Sequence, residues 1–286
     1  MLKKIHYYFL TKLRFIKNEL SWNIDLEKIK KLKPNTVTVR TNNINEYNKI
    51  LVVVPHADDE LIGCYNFIKK NNKKIKLFYC GYLGTKTNYL NKNIRLKEFI
   101  GVCDYLNVDF SISQGNLKDE LYKEILDYSP DLILLPYYLD WHEEHREVNY
   151  LIYAIIKKYN KRLIQKIGCY KISTPIPASQ VNFIVSLAKK DLNEKKKVFY
   201  KYYRSQKYLP LNRFFYEDRA YGRLFKLYAA EIYSIFDIDT WKKKIELIRK
   251  ENILKEISRL KKIVNQIFDK WKLVDEIERR LQEEYK

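Results

Sequence analysis

The 286-residue chain contains no uninterrupted apolar run approaching the ~20 residues that a membrane-spanning helix needs. No small-residue cleavage site follows an apolar core near its N-terminus, so the expectation is a cytoplasmic protein. Only four cysteines occur, Cys64, Cys80, Cys103 and Cys169, and no CxxC pair among them. That argues against a disulfide framework and against a cysteine-based zinc site. Internal repeats are absent. Acidic residues are in short supply, 35 Asp and Glu against 55 Lys and Arg, for a net charge of +20. A field of that sign attracts polyanions: nucleic acid, anionic lipid or a phosphorylated substrate. Much of the excess is Lys alongside abundant Asn, Ile and Tyr, so a biased composition explains it equally well. No nucleic-acid recognition module is recognisable, and nucleic acid is not an expected partner.

What is present is a 46% apolar chain long enough for one sizeable core with appendages. Short apolar runs at 50–55, 75–80, 108–112 and 131–136 read as strands, and the stretches around 60–71, 92–106 and 117–128 read as helices. Further strands are expected near 163–172 and 181–187. Strand–helix–strand at these spacings predicts an α/β fold, a Rossmann-like, mostly parallel sheet flanked by helices. Three regions follow: an N-terminal basic arm over 1–47, a central domain over 48–236 and a C-terminal helical extension over 237–286.

The arm places Leu2, Ile5, Phe9, Leu13 and Ile16 on one helical stripe with Lys3, Lys4, Lys12, Arg14 and Lys17 around it. Such a segment can lie on an anionic membrane surface or pack on the main domain. In the tail, Ile253, Ile257, Leu260, Val264, Ile267, Trp271, Val274 and Leu281 follow steps of four and three, broken only by Glu278. The pattern suits a coiled-coil seam, and hence a homo-oligomer through this helix, or equally a helical pair folded back on the domain.

The chemistry concentrates in two clusters. Three of the four histidines lie in "PHADDE" after "ILVVV" and in "YYLDWHEEHREV" after "DLILL". The carboxyl ends of strands in an open parallel sheet line one edge, where such loops converge. His56 and Asp59 supply two N/O metal ligands from one turn, and a histidine of the second cluster completes a catalytic zinc set. Asp58 is then free to take a proton from water. His142 and His145, three apart, share a helical face, so one can ligate while the other stands by as a donor. Alone, "HxDD" could be no more than a helix N-cap; the "HxxH" after a second strand weighs against that.

These residues resemble the LmbE-like, or PIG-L, family of zinc-dependent de-N-acetylases. "PHADDE" is similar to the family's "HPDDE", and "HEEHR" to its "HPDHR". Arg95 and Glu98 fit the "RxxE" helix; Lys196, Tyr203, Ser205 and Gln206 fit "KxxAxxxYxSQ"; and "LYAAEIY" resembles the later "AExF" helix through Glu231. The resemblance spans about residues 48–236. It implies one Zn2+ held by His56, Asp59 and His145, with Asp58 as general base. His142 would be a protonated partner of the oxyanion and leaving amine, and Arg95 a substrate contact. The implied activity is removal of the N-acetyl group from an N-acetylglucosamine-type sugar in a glycoconjugate, its aglycone anionic or lipid-linked, with peripheral membrane contact. Alternatives are a deacetylase of a small soluble conjugate, such as a thiol precursor or antibiotic intermediate, and a catalytically silent scaffold.

Tyr137, Tyr138 and Trp141 flank the second cluster, where they either stack on a sugar or pack the core. Asp140 and Glu144 are candidates to orient a histidine. Ala57, where the family has Pro, is expected to loosen the turn, and Phe199 replaces a small residue of the signature.

Overall fold

The computed structural model describes residues 20, 24–33, 44–83, 89–159, 164–206, 209, 211–263 and 266–284. The basic stripe at 2–17 lies outside them. Seven strands form one sheet: β1 (Ile50–His56), β2 (Ile75–Tyr82), β3 (Asp109–Ile112), β4 (Leu132–Pro136), β5 (Lys166–Tyr170), β6 (Phe183–Leu187) and β7 (Ala229–Asp237). Their order is β3-β2-β1-β4-β5-β7-β6. The first five are parallel, and β7 runs antiparallel between β5 and β6.

The helices are α1 (Asp59–Asn71), α2 (Tyr89–Leu106), α3 (Leu117–Tyr128), α4 (Glu143–Tyr159), α5 (Lys189–Tyr202), α6 (Leu211–Leu224), α7 (Ile238–Ile248), α8 (Glu251–Leu260) and α9 (Ile267–Glu283). Alternation along β1 explains the layering. Ile50, Val52 and Val54 enter a core with Leu61 and Phe67 of α1, Phe99 of α2 and Val198 of α5. Leu51 and Val53 enter the opposite core with Ile152 of α4, Trp241 of α7, Ile257 of α8 and Ile277 of α9. Because both faces are covered, β1 has no polar position before His56. From β1 the chain winds outward to β2 and β3, then returns to β4 on the other side. The carboxyl ends of β1 and β4 therefore flank the switch point, where such sheets bind ligands.

One expectation is corrected here, and one open alternative is decided. "LYAAEIY" is not helical: Glu231 lies in β7, whose Ile232, Tyr233, Ile235 and Phe236 suit a strand buried on both faces. Of the two C-terminal alternatives, the helices fold back on the domain, and Ile253, Ile257, Leu260, Val274 and Leu281 are buried in the chain's own second core. Intramolecular helix packing and coiled coils share the same apolar spacing. At the other terminus, helical residues 24–31 dock rather than extend: Ile29 packs with Ala220 and Ile267. Asp25 Oδ2 accepts the Ile267 N–H at 3.2 Å, at the start of α9. Among the described residues no helix is long and apolar enough to cross a membrane.

The middle of the helix that the first cluster begins is gripped by side chains from β7 and α5. Glu231 accepts the backbone N–H groups of Asn66 and Phe67 at 3.0 to 3.1 Å. Lys195 Nζ donates to the Ile62 carbonyl at 2.7 Å, and Tyr233 donates to that of Gly63 at 3.2 Å. A buried ion pair from β7 and α5 is thus wedged against the backbone of α1. A glycine is required at the adjoining turn, since a Cβ at Gly63 would lie 2.4 Å from the Tyr170 ring and 2.9 Å from the Lys171 carbonyl. Tyr170 cannot easily retreat, because its hydroxyl donates to the Val53 carbonyl at 2.7 Å.

Candidate active site

Past His56 the chain turns through Ala57 and Asp58 into α1. Asp58 has φ 137° and ψ −21°, a region that costs a non-glycine residue ~1–3 kcal/mol and persists only where its surroundings enforce it. Here they do. The N–H groups of Leu61 and Ile62 donate to the Asp58 carbonyl at 3.1 and 2.8 Å, and the Asp58 N–H donates to Glu60 at 3.2 Å. Gln206 Nε2 donates to the Ala57 carbonyl, with Arg95 Nη1 at 3.5 Å from the same oxygen. The looseness expected of Ala57 is countered by side chains from two other elements.

Three potential ligand atoms converge beneath this turn. His56 Nδ1 stands 3.0 Å from His145 Nε2 and 3.1 Å from Asp59 Oδ2, and His145 Nε2 stands 3.2 Å from Asp59 Oδ2. For ligands at ~2.0–2.2 Å from a tetrahedral ion the edges of such a triangle are about 3.3–3.6 Å, so the set needs only slight expansion. The outer nitrogens face carboxylates: His56 Nε2 meets Glu144 Oε2 at 2.5 Å, and His145 Nδ1 meets Asp140 Oδ2 at 3.2 Å. Each carboxylate favours a proton on the outer nitrogen, leaving the inner lone pair for a cation. The three histidines also offer nitrogens within 4.8 Å of one another. The triangle with Asp59 is tighter and combines two nitrogens with one anionic oxygen, a common donor set for hydrolytic zinc.

The electrostatics match a site built around positive charge. Burial would raise Asp59, but His145 and His56 overcome it and hold the carboxyl far below the usual range. Burial likewise opposes charge on His145, yet Asp59 and Asp140 push it up to about 10. Asp58 is raised well above an ordinary carboxylate by burial and by Asp59; a divalent cation in the triangle would pull it back toward the ionised form. His142 is pushed down to about 4 by burial and by His145 and His56. Its ring lies 4.6 Å from that of His56.

The other expected site residues divide. Asp140 is fully buried and accepts the N–H groups of His142 at 2.9 Å, Ser173 at 3.0 Å and Thr174 at 3.2 Å. It holds the loop before α4 while facing His145. Asp140→Asn keeps the shape and loses the charge, so divalent metal affinity should fall about 10- to 100-fold; chelator competition measures it, and an unchanged dissociation constant would refute the role. Trp141 is half-buried beside His142, with Lys261 Nζ 5.9 Å from its ring. Tyr138 is not a substrate platform: it is 0% exposed and its hydroxyl is bound to Glu278. Arg95 is buried under the first turn rather than open at the rim. Glu98 accepts both the N–H and the hydroxyl of Ser205, at 2.8 and 2.6 Å, clasping α2 to the Gln206 turn.

Several contributors went unread in the sequence. Glu60, fully buried and raised to about 8 by burial, accepts the Tyr203 hydroxyl; the repeated acid in "HADDE" and the signature Tyr were the available signals. Tyr82 ends β2 opposite His56, its ring 6.2 Å from the imidazole. No local pattern marks it.

An open α/β sheet presenting a His/Asp/His triangle at its switch point defines the class, an enzyme domain of the de-N-acetylase kind. Residues 51–156, the segment that holds both clusters, match the family described as PIG-L, GlcNAc-PI de-N-acetylase. Solved structures share the fold. A teicoplanin-pathway deacetylase triple mutant is 14% identical, with a TM-score of 0.51 over 67% of this chain and 99% of its own. The A40926 pseudoaglycone deacetylase is 13% identical, with a TM-score of 0.51 over 66% and 98%. A zinc-inhibited form of teicoplanin deacetylase is 12% identical, with a TM-score of 0.51 over 67% and 99%. No curated protein matches the sequence.

Proposed function

We propose that the protein removes the N-acetyl group from an N-acetylglucosamine-type sugar in a glycoconjugate, using one Zn2+ held by His56, Asp59 and His145. The observation that carries this reading is the N2O triangle at 3.0 to 3.2 Å edges with two further polar groups, Asp58 and His142, on its margins. When bound, the ion supplies Lewis acidity to the amide carbonyl and lowers the pKa of water. Asp58, aimed by its enforced backbone, takes the proton as water oxygen adds to the acetyl carbon. His142 donates a ring N–H to the oxygen that gains charge. The proton on Asp58 then passes to the sugar nitrogen as the C–N bond breaks, giving acetate and a free amine. Glu144 and Asp140 keep the ligand rings in register throughout.

A net charge of +20 supports an anionic or lipid-linked aglycone, and with it a cytoplasmic enzyme in peripheral contact with a membrane. A second reading, a deacetylase of a small soluble conjugate, draws on the fold shared with the antibiotic deacetylases. The silent-scaffold reading has the complete set of ligand and proton-handling residues against it. The test is a panel of N-acetylglucosaminyl conjugates, phosphate-linked, lipid-linked and soluble, incubated with zinc-loaded protein while free amine is measured. Release from the phosphate- or lipid-linked members is expected. Release from soluble members alone would favour the second reading, and no release with zinc bound would favour the scaffold.

A further inference from the structure

The C-terminal apolar seam is interrupted by Glu278, and the structure gives that residue a task. Glu278 is 2% exposed on α9, outside the segment that matches the family. One carboxylate oxygen accepts the hydroxyls of Tyr137, at 2.6 Å, and Tyr138; the other accepts Lys244 Nζ at 2.8 Å. Both tyrosines are 0% exposed and immediately precede Leu139 and Asp140. Their loop has no regular structure of its own, running from the end of β4 to the start of α4, yet it carries Asp140 and His142 and leads into the helix that bears His145.

The same helix grips the opposite side of Asp140. Lys270, also on α9 and fully buried, pairs with Glu217 and reaches within 3.5 Å of the Ser173 carbonyl. Ser173 and Thr174 are the residues whose N–H groups hold Asp140 Oδ2. One helix thus anchors both segments that cradle the carboxylate facing His145.

We infer that α9 is a positioning element of the metal centre, with Glu278 as the positioning residue that sets the second cluster's loop through Tyr137 and Tyr138. Its substitution changes how well the ion is held, not merely how stable the fold is. The inference rests on the metal reading above and is independent of which conjugate is hydrolysed.

The test measures Zn2+ dissociation constants by competition with a chromogenic chelator, at a temperature where circular dichroism shows each variant folded. Glu278→Gln removes the charge while keeping an acceptor. Because it also strips Lys244 of its partner, the double variant Tyr137→Phe/Tyr138→Phe accompanies it, cutting the loop contacts but leaving the Glu278–Lys244 pair intact. Ile253→Ala, a core truncation on α8, controls for stability alone. The expected result is affinity about tenfold weaker in Glu278→Gln and in the double variant, with Ile253→Ala melting lower but binding Zn2+ as tightly as wild type. Wild-type affinity in the double variant would overturn the inference while leaving the metal reading in place. A wild-type protein that binds no stoichiometric Zn2+ would overturn both.

Discussion

Replacing Asp58 with Asn is expected to lower turnover by about 10²- to 10⁴-fold, equivalent to ~3–5 kcal/mol of barrier, while Zn2+ binding stays near wild type. The separation follows from geometry. Asp58 is no member of the His56, Asp59 and His145 triangle, whose three edges close without it. Asn is also among the side chains most tolerant of positive φ, so the turn at φ 137° should survive. The amide can no longer accept the proton of the attacking water, and that step is lost. Free-amine release and bound-zinc stoichiometry, measured on one preparation, check the two halves independently. Loss of zinc together with activity would mean that Asp58 belongs to the ligand set. Full activity would remove it from the chemistry altogether.

The sheet was legible because its strands are short apolar runs bounded by polar clusters, a pattern that a doubly covered parallel sheet imposes on every strand. The triangle was legible for a different reason: histidine and aspartate crowded after a buried strand have few purely structural uses. What the sequence leaves open has one cause, namely that local sequence does not say which surface a pattern will meet. The seam through Ile253, Ile257 and Leu260 has the spacing of a coiled coil, but its partner is the chain's own sheet. Tyr138 beside the metal loop suits a sugar platform or the core equally, and only the arrival of Glu278 from 140 residues away explains its burial. Motif analogy extended a helix over Glu231, where alternating β-branched and aromatic residues favoured a strand. The positive φ of Asp58 has no local sequence mark, since besides Glu60 and the first turn of α1 it is held through the Ala57 carbonyl by Gln206 and Arg95 from distant elements.

One such hidden feature has a large measurable effect. Adjacent lysines on α5 differ completely: Lys196 is half-buried and donates to Asn212 at 3.1 Å, whereas Lys195 is 1% exposed. Lys195 bonds Asp218 at 2.9 Å, Glu231 at 3.0 Å and the Ile62 carbonyl at 2.7 Å. Lys195→Met would fill the same space but leave two buried carboxylates without their shared cation. Asp218 would retain Lys171 at 3.1 Å, and Glu231 the helix N–H groups, the Asn66 side-chain amide and the Tyr233 hydroxyl, none of them a cation. Removing one partner from a buried ionic group costs about 3–5 kcal/mol, a large share of the ~5–15 kcal/mol by which domains are stable. The urea midpoint of Lys195→Met should drop accordingly, while Lys196→Met shifts by no more than about 1 kcal/mol. Adding Asp218→Asn and Glu231→Gln to Lys195→Met should recover much of the loss, because the penalty lies in the stranded charges rather than in the missing bonds. A triple variant no more stable than Lys195→Met would place the cost instead in the released Ile62 carbonyl, and so in the helix that carries Asp59.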